Sequence, residues 1–200
     1  MTKTNNTKLK KKENFWSLDI KPDSIKKLDP NMKKYFQVCK EKIGFIPNVL
    51  LANSSDSERL RTFVDFYNRL MLSEGYLTKL EREMIAVVVS SVNKCFYCLV
   101  AHGASVREIS GDPILGETLA MNYKMAKLSK KHMGMLDFTT KLTREPQNII
   151  EKDRKKLRNY GFSDKAILEI IEVVSFFNMS NRIASGSGLI PNAEYHKKGR

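Results

Sequence analysis

The chemistry-bearing residues of this chain fall in one short stretch, Glu83-(x11)-Cys95-Phe96-Tyr97-Cys98-(x3)-His102. Cys95 and Cys98 are three positions apart, and His102 follows Cys98 by four. On a helix these three side chains share one face, within a turn of one another. A helix starting after Asn93-Lys94 places both sulfurs in its first turn, where unpaired amides and the helix dipole favour a thiolate. A nearby imidazole accepts or donates the proton, and a Cys-x-x-Cys pair lowers one thiol pKa. Glu83 lies on the preceding segment. If the two helices fold back antiparallel, its carboxylate comes close to His102, fixing the imidazole's tautomer and raising its basicity.

This spacing admits three kinds of chemistry. A redox dithiol cycles between dithiol and disulfide, with Cys98 attacking because His102 is one turn away. A zinc site draws on Cys95, Cys98, His102 and Glu83, although a lone Cys-x-x-Cys is a weak zinc signal. A pair of inert buried thiols leaves the registered His and Glu without a role. A thioredoxin fold is disfavoured, because its motif follows a strand and here an apolar helix precedes it. Tyr97 either lines the site or belongs to the core. Cys39 reads as a small core residue, His132 and His196 as surface residues, and Glu81 as a helix cap. Asn178, Asn181 and Arg182 read as a buried network or cap, with substrate or subunit contact as the alternative.

Amphipathic helices joined by short loops must position these groups. Asn31–Ile43 carries Tyr35, Phe36, Val38, Cys39 and Ile43 largely on one face, with Pro30 opening it and Gly44 closing it. The segment from Gly44 to Leu51 is interrupted by Pro47 and is expected to be a turn. Ser57–Ser73 has a helical stripe ended by Gly75. Thr78-Lys-Leu-Glu81 has capping-box spacing. The helix it starts runs to about Val92, and its Ile85–Val89 run is apolar all round, which predicts a central buried helix. Cys95–Ser110, 114–126, 130–143 and 149–160 follow as helices, and Ser163 starts a long apolar helix to about Ala184. The expected class is all-α.

A weak repeat with an offset of 85 residues pairs Ile85/Ile170, Val88/Val173, Val89/Val174, Ser90/Ser175, Asn93/Asn178 and Gly103/Gly188. It suggests two copies of a helix pair packed together. In the second copy Leu168, Ser180, Ile183 and Ser187 stand opposite Glu83, Cys95, Cys98 and His102, so the chemistry belongs to the first.

The chain has 200 residues, 42% of them hydrophobic, which fits one domain with a sizeable core. The organisation expected is a disordered basic tail at 1–14 and a single domain at 15–200, whose first half, 15–112, carries the site and whose second half, 113–200, is structural. The formal net charge is +13. Residues 1–12 hold five lysines and no acid, and residues 121–160 hold eleven Lys/Arg against four acids. The second block falls on amphipathic helices and reads as a solvated face. No zinc-finger or RNA-binding pattern accompanies the charge, so no nucleic-acid partner is expected. No run approaches the roughly 18–20 apolar residues of a membrane helix, and no membrane partner is expected. Three cysteines are too few, and of the wrong parity, for a disulfide framework. A cytoplasmic, thiol-reducing setting is the simplest reading.

At Gly44-Phe-Ile-Pro-Asn48, Leu80-Glu-Arg-Glu83, Cys95-Phe-Tyr-Cys98-Leu-Val-Ala-His102-Gly103, Phe176-Phe-Asn178 and Asn181-Arg182, the sequence resembles the AhpD-like (alkylhydroperoxidase D-like) proteins of the carboxymuconolactone decarboxylase superfamily. It resembles most the peroxidase-related branch, and the match runs from about Phe15 to Tyr195. The resemblance implies an all-α homo-oligomer that reduces hydroperoxides. In such enzymes the second cysteine is peroxidatic, so Cys98 would become a sulfenic acid and Cys95 would resolve it to a disulfide. The residues matching His102 and Glu83 form a proton relay. An external dithiol or thioredoxin-like reductant restores the thiols, and no metal or bound cofactor is implied. The best-studied members carry a second His where this chain has Tyr97. Decarboxylase members lack the dithiol, which disfavours lactone decarboxylation. The contrasting alternative is a non-enzymatic helical oligomer whose Cys/His cluster binds zinc or senses oxidation.

Overall fold

The computed structural model describes residues 15–23 and 25–200; the basic tail expected at 1–14 lies outside the described residues. The fold is all-α, as the sequence predicts, and among the described residues there is no strand. The helices are α1 (Pro30–Ile43), α2 (Asn48–Asn53), α3 (Ser57–Tyr67), α4 (Lys79–Val92), α5 (Phe96–Ser110), α6 (Leu115–Asn122), α7 (Lys130–Arg144), α8 (Glu151–Asn159) and α9 (Asp164–Gly186). None of them is long and apolar enough to cross a membrane.

Helix α4 is the axis of the molecule. Every residue from Glu81 to Ser90 is buried, as the all-round apolar run requires. Helices α5, α6, α7 and α9 pack around it. Its start is the expected capping box: the Glu81 amide donates to Thr78 Oγ1 at 3.1 Å, and the Thr78 amide donates to Glu81 Oε2 at 2.8 Å. Helix α9 opens on a simple serine cap, with the Ala166 amide donating to Ser163 Oγ at 3.2 Å. Ile85, Val87, Val88 and Val89 meet Ile170, Val173 and Val174 in one core, and burying each such side chain contributes about 1.5–3 kcal/mol.

Several expected boundaries differ. Pro47 does not leave a turn; it caps α2, because its fixed φ suits a helix start. Helix α3 stops at Tyr67 and continues as a π-helical turn over Asn68–Leu72. Gly75 therefore does not end a helix. A Cβ there would lie 2.2 Å from an Arg82 guanidinium nitrogen and 2.7 Å from the Glu169 carboxylate oxygens. The glycine makes room for that buried ion pair, in which Arg82 Nε donates to Glu169 Oε1 at 2.6 Å. Helices α6 and α8 are shorter than expected, each flanked by a 3-10 turn. Where the repeat suggests a second helix pair, α9 runs unbroken for 23 residues.

Candidate active site

The site is built where α4 hands over to α5. Lys94 adopts a left-handed conformation, φ 56°. The Cys95 amide donates back to the Ser90 carbonyl at 3.0 Å, and the Lys94 amide to the Ser91 carbonyl at 3.3 Å. This is a Schellman closure of α4, made without the usual glycine. Cys95 is also the N-cap of α5. The sequence places it inside that helix; the structure puts it one residue before. Cys98 sits in the first turn.

Side chains from α9 lock this corner. Asn93 Nδ2 donates to both Asn178 Oδ1 (3.1 Å) and Asn181 Oδ1 (3.0 Å), so the asparagines matched by the 85-residue offset touch. Asn181 Nδ2 donates to Ser90 Oγ at 3.1 Å, and Arg182 Nη1 donates to the Asn178 carbonyl at 2.6 Å. The expected network forms, with Asn181 buried and Asn178 half-buried, but Arg182 is exposed at its edge. Asn181 and Ser90 also bear on Cys98, each favouring its thiolate. Sequence reasoning assigned neither to the site, although Asn181 was visible as a polar residue on an apolar helix.

The two sulfurs are 2.9 Å apart, and Cys95 and Cys98 are only 1% and 2% exposed. They share one proton. The Cys98 thiol's hydrogen bond, with smaller help from the Cys98 amide, Ser185 and His102, lowers the Cys95 pKa to about 6 against the cost of burial. The Cys98 thiol is pushed up, by giving that hydrogen bond and by desolvation. That hydrogen bond favours resting charge on Cys95, while Cys98 keeps the place one turn from His102 that the spacing gives it.

Helices α4 and α5 do fold back on each other, and His102 Nδ1 lies 2.7 Å from Glu83 Oε2. A carboxylate can only accept, so Nδ1 carries the proton and Nε2 is free to exchange one. Both side chains are largely buried, and the edge-on ring of Phe177 packs on His102 at 4.5 Å.

Cys98 and His102 line one cavity of about 310 Å³ together with Tyr35, Tyr67, Tyr97, Tyr195, Phe63, Phe176 and Phe177. Cys95 does not reach it. Tyr97 lines the cavity, and its hydroxyl accepts from the Val49 amide at 3.2 Å. Cys39 lines the cavity as well and is half-buried, where the sequence predicts a core residue; burial raises its pKa. His132 is half-buried rather than a free surface residue, with Nε2 3.3 Å from Glu81 Oε1. His196 is exposed beside Phe96. Glu81 stays at the cap. Among the described residues, no group of three or more His, Cys, Asp or Glu side chains is placed to hold a metal ion.

The model of the carboxymuconolactone decarboxylase family matches residues 58–113. A crystal structure of a peroxidase-related protein from Silicibacter sp. TM1040 is 52% identical, with 96% of this chain and 100% of that chain covered and a TM-score of 0.90. An alkylhydroperoxidase AhpD core, a peroxidase-related protein from Ralstonia eutropha JMP134, is 34% identical, covering 94% and 97% at a TM-score of 0.89. The debrominase Bmp8 shares the fold at 15% identity, covering 90% and 96% at a TM-score of 0.76. No curated protein matches the chain. Half the residues are shared with one peroxidase-related protein over nearly the whole length of both, and a third with another; this chain belongs with them among the AhpD-like proteins of the carboxymuconolactone decarboxylase superfamily.

Proposed function

We propose that the protein is a thiol-dependent peroxidase that reduces organic hydroperoxides through Cys95 and Cys98. One observation carries this reading. Cys98 and His102 open onto the same apolar cavity, with a second sulfur 2.9 Å behind the first and a carboxylate 2.7 Å behind the imidazole.

The parts divide the work between access and acidity. Cys98 faces the cavity, and Cys95 holds the negative charge. Passing the Cys98 proton across to Cys95 creates the attacking thiolate where substrate can reach it. That thiolate attacks the outer oxygen of the hydroperoxide, forming an S–O bond as the O–O bond breaks. The leaving alkoxide departs as an alcohol on taking the Nε2 proton of a His102 imidazolium, charged from solvent before the attack and steadied by the Glu83 carboxylate. Cys95 then attacks the Cys98 sulfenic acid, its thiol proton passing to the departing hydroxide to give water, and a disulfide forms. An external dithiol gives two electrons and two protons to restore the pair. Closing the disulfide from 2.9 Å to about 2.05 Å needs little movement.

The apolar lining suits a hydroperoxide with an apolar body, since such pockets bind through buried apolar area with a few placed polar groups. The test uses metal-free, pre-reduced protein and stoichiometric cumene hydroperoxide. Two thiols per chain should be lost, turnover should follow on adding a dithiol, and Cys98→Ser should abolish it. Wild-type peroxide consumption by Cys98→Ser sinks the reading, as does retention of about one zinc per chain through dialysis.

A further inference from the structure

Four tyrosines line the cavity, and three of their hydroxyls are engaged. Tyr35 donates to Asn68 Oδ1 at 3.1 Å. Tyr97 accepts from the Val49 amide and lies against the hydroxyl of Tyr195. The Tyr67 hydroxyl has no hydrogen-bond partner among the described residues. Tyr67 is half-buried, so its hydroxyl is open to water in the cavity, and the oxygen of an entering ligand can take that water's place as its partner.

Its placement fits that role. The Tyr67 ring packs on Phe176 with centroids 6.1 Å apart, Phe176 packs on Phe177 at 5.3 Å, and Phe177 packs on His102 at 4.5 Å. Tyr67 is also the last residue of α3 before the π-helical turn, in which the Ser73 amide reaches back five residues to the Asn68 carbonyl at 3.0 Å. Such turns are rare, and they occur often at functional sites. Burial, reinforced by the charge of Glu83, raises the phenol's pKa far above its usual value, so the group is a permanent neutral donor.

We propose that the Tyr67 hydroxyl donates the hydrogen bond that holds the substrate's peroxidic oxygen, and afterwards the product alcohol, in the cavity beside Cys98 and His102. The inference rests on the peroxidase reading and makes Tyr67 a substrate-binding residue that orients the O–O bond. No electron or proton passes through it.

The test pairs two ligands that differ by one group, cumyl alcohol and tert-butylbenzene, against the reduced wild-type protein and Tyr67→Phe, with dissociation constants read by NMR titration. This is a two-by-two cycle whose coupling isolates the hydroxyl-to-hydroxyl contact. The wild type should prefer the alcohol, and Tyr67→Phe should lose about 3- to 10-fold of that preference while binding the hydrocarbon unchanged. A merely structural role weakens both ligands equally and overturns the proposal. So does an unchanged preference, or a wild type that binds neither ligand. Cumene hydroperoxide turnover is measured alongside. Normal ligand coupling with no turnover sinks the peroxidase reading and leaves Tyr67 as a hydroxyl-binding residue.

Discussion

Glu83 Oε2 stands 2.7 Å from His102 Nδ1, a contact between antiparallel helices that joins residues 19 positions apart. It fixes which imidazole nitrogen is free. Glu83→Gln keeps the shape and removes the charge, so hydroperoxide reduction should slow by about 10- to 100-fold, less than the roughly 10²–10⁴-fold of a full acid–base group because Glu83 acts through His102. Circular dichroism and thiol count should not change. Unaltered kinetics would return Glu83 to a structural role.

The shared proton of the dithiol gives a pH signature. With the Cys95 pKa at about 6, the thiolate is absent well below pH 6 and present above it, whereas an ordinary thiol ionises near 8.5. Ultraviolet thiolate absorbance of the reduced protein should therefore rise with a midpoint near pH 6. Cys98→Ala removes the hydrogen-bond donor and should move the midpoint upward. A wild-type midpoint at ordinary thiol pH would contradict the arrangement.

The ion pair of Arg82 and Glu169 is a separate, structural prediction. Arg82 also donates to the Ser73 carbonyl at 2.7 Å, and the Tyr76 amide donates to Glu169 Oε2 at 2.6 Å. Arg82→Met leaves a buried carboxylate without its partner cation, which should cost about 3–5 kcal/mol in urea unfolding. A loss below about 1 kcal/mol would show the carboxylate finding solvent.

The C-terminal segment closes one side of the cavity. Arg107 donates to the Lys198 carbonyl at 2.9 Å and the Tyr195 carbonyl at 3.0 Å, holding Tyr195 and Lys198 in the lining. Arg107→Ala should expose residues 193–198 to limited proteolysis and raise the KM for hydroperoxide, with a modest stability loss of about 1–3 kcal/mol. Wild-type cleavage rates would show that other contacts hold the segment.

The elements nearest the site were the most legible. Helix α4 announces itself through Thr78, Glu81 and the Ile85–Val89 run, and the Cys98 and His102 spacing sets both on one face of α5, with Cys95 left at its cap. The closure at Lys94 was hidden because a lysine occupies the left-handed position where a glycine would have signalled the corner. Pro47 reads equally well as a stop and as a start, and only packing decides. The cavity was invisible because Tyr35, Tyr67 and Tyr195 come from three distant segments. Asn181 reaches Ser90 across 91 positions, which local periodicity does not encode.

The depth of the two sulfurs sets what can regenerate them. A thiol that reopens the disulfide must approach along the S–S axis, and Cys98 is the sulfur the cavity reaches. Both sulfurs are almost fully buried, so in the proposed cycle an exchanging sulfur has to enter the cavity or wait for the corner to open. In that cycle the cavity mouth, by its width and lining, selects which thiols regenerate the pair.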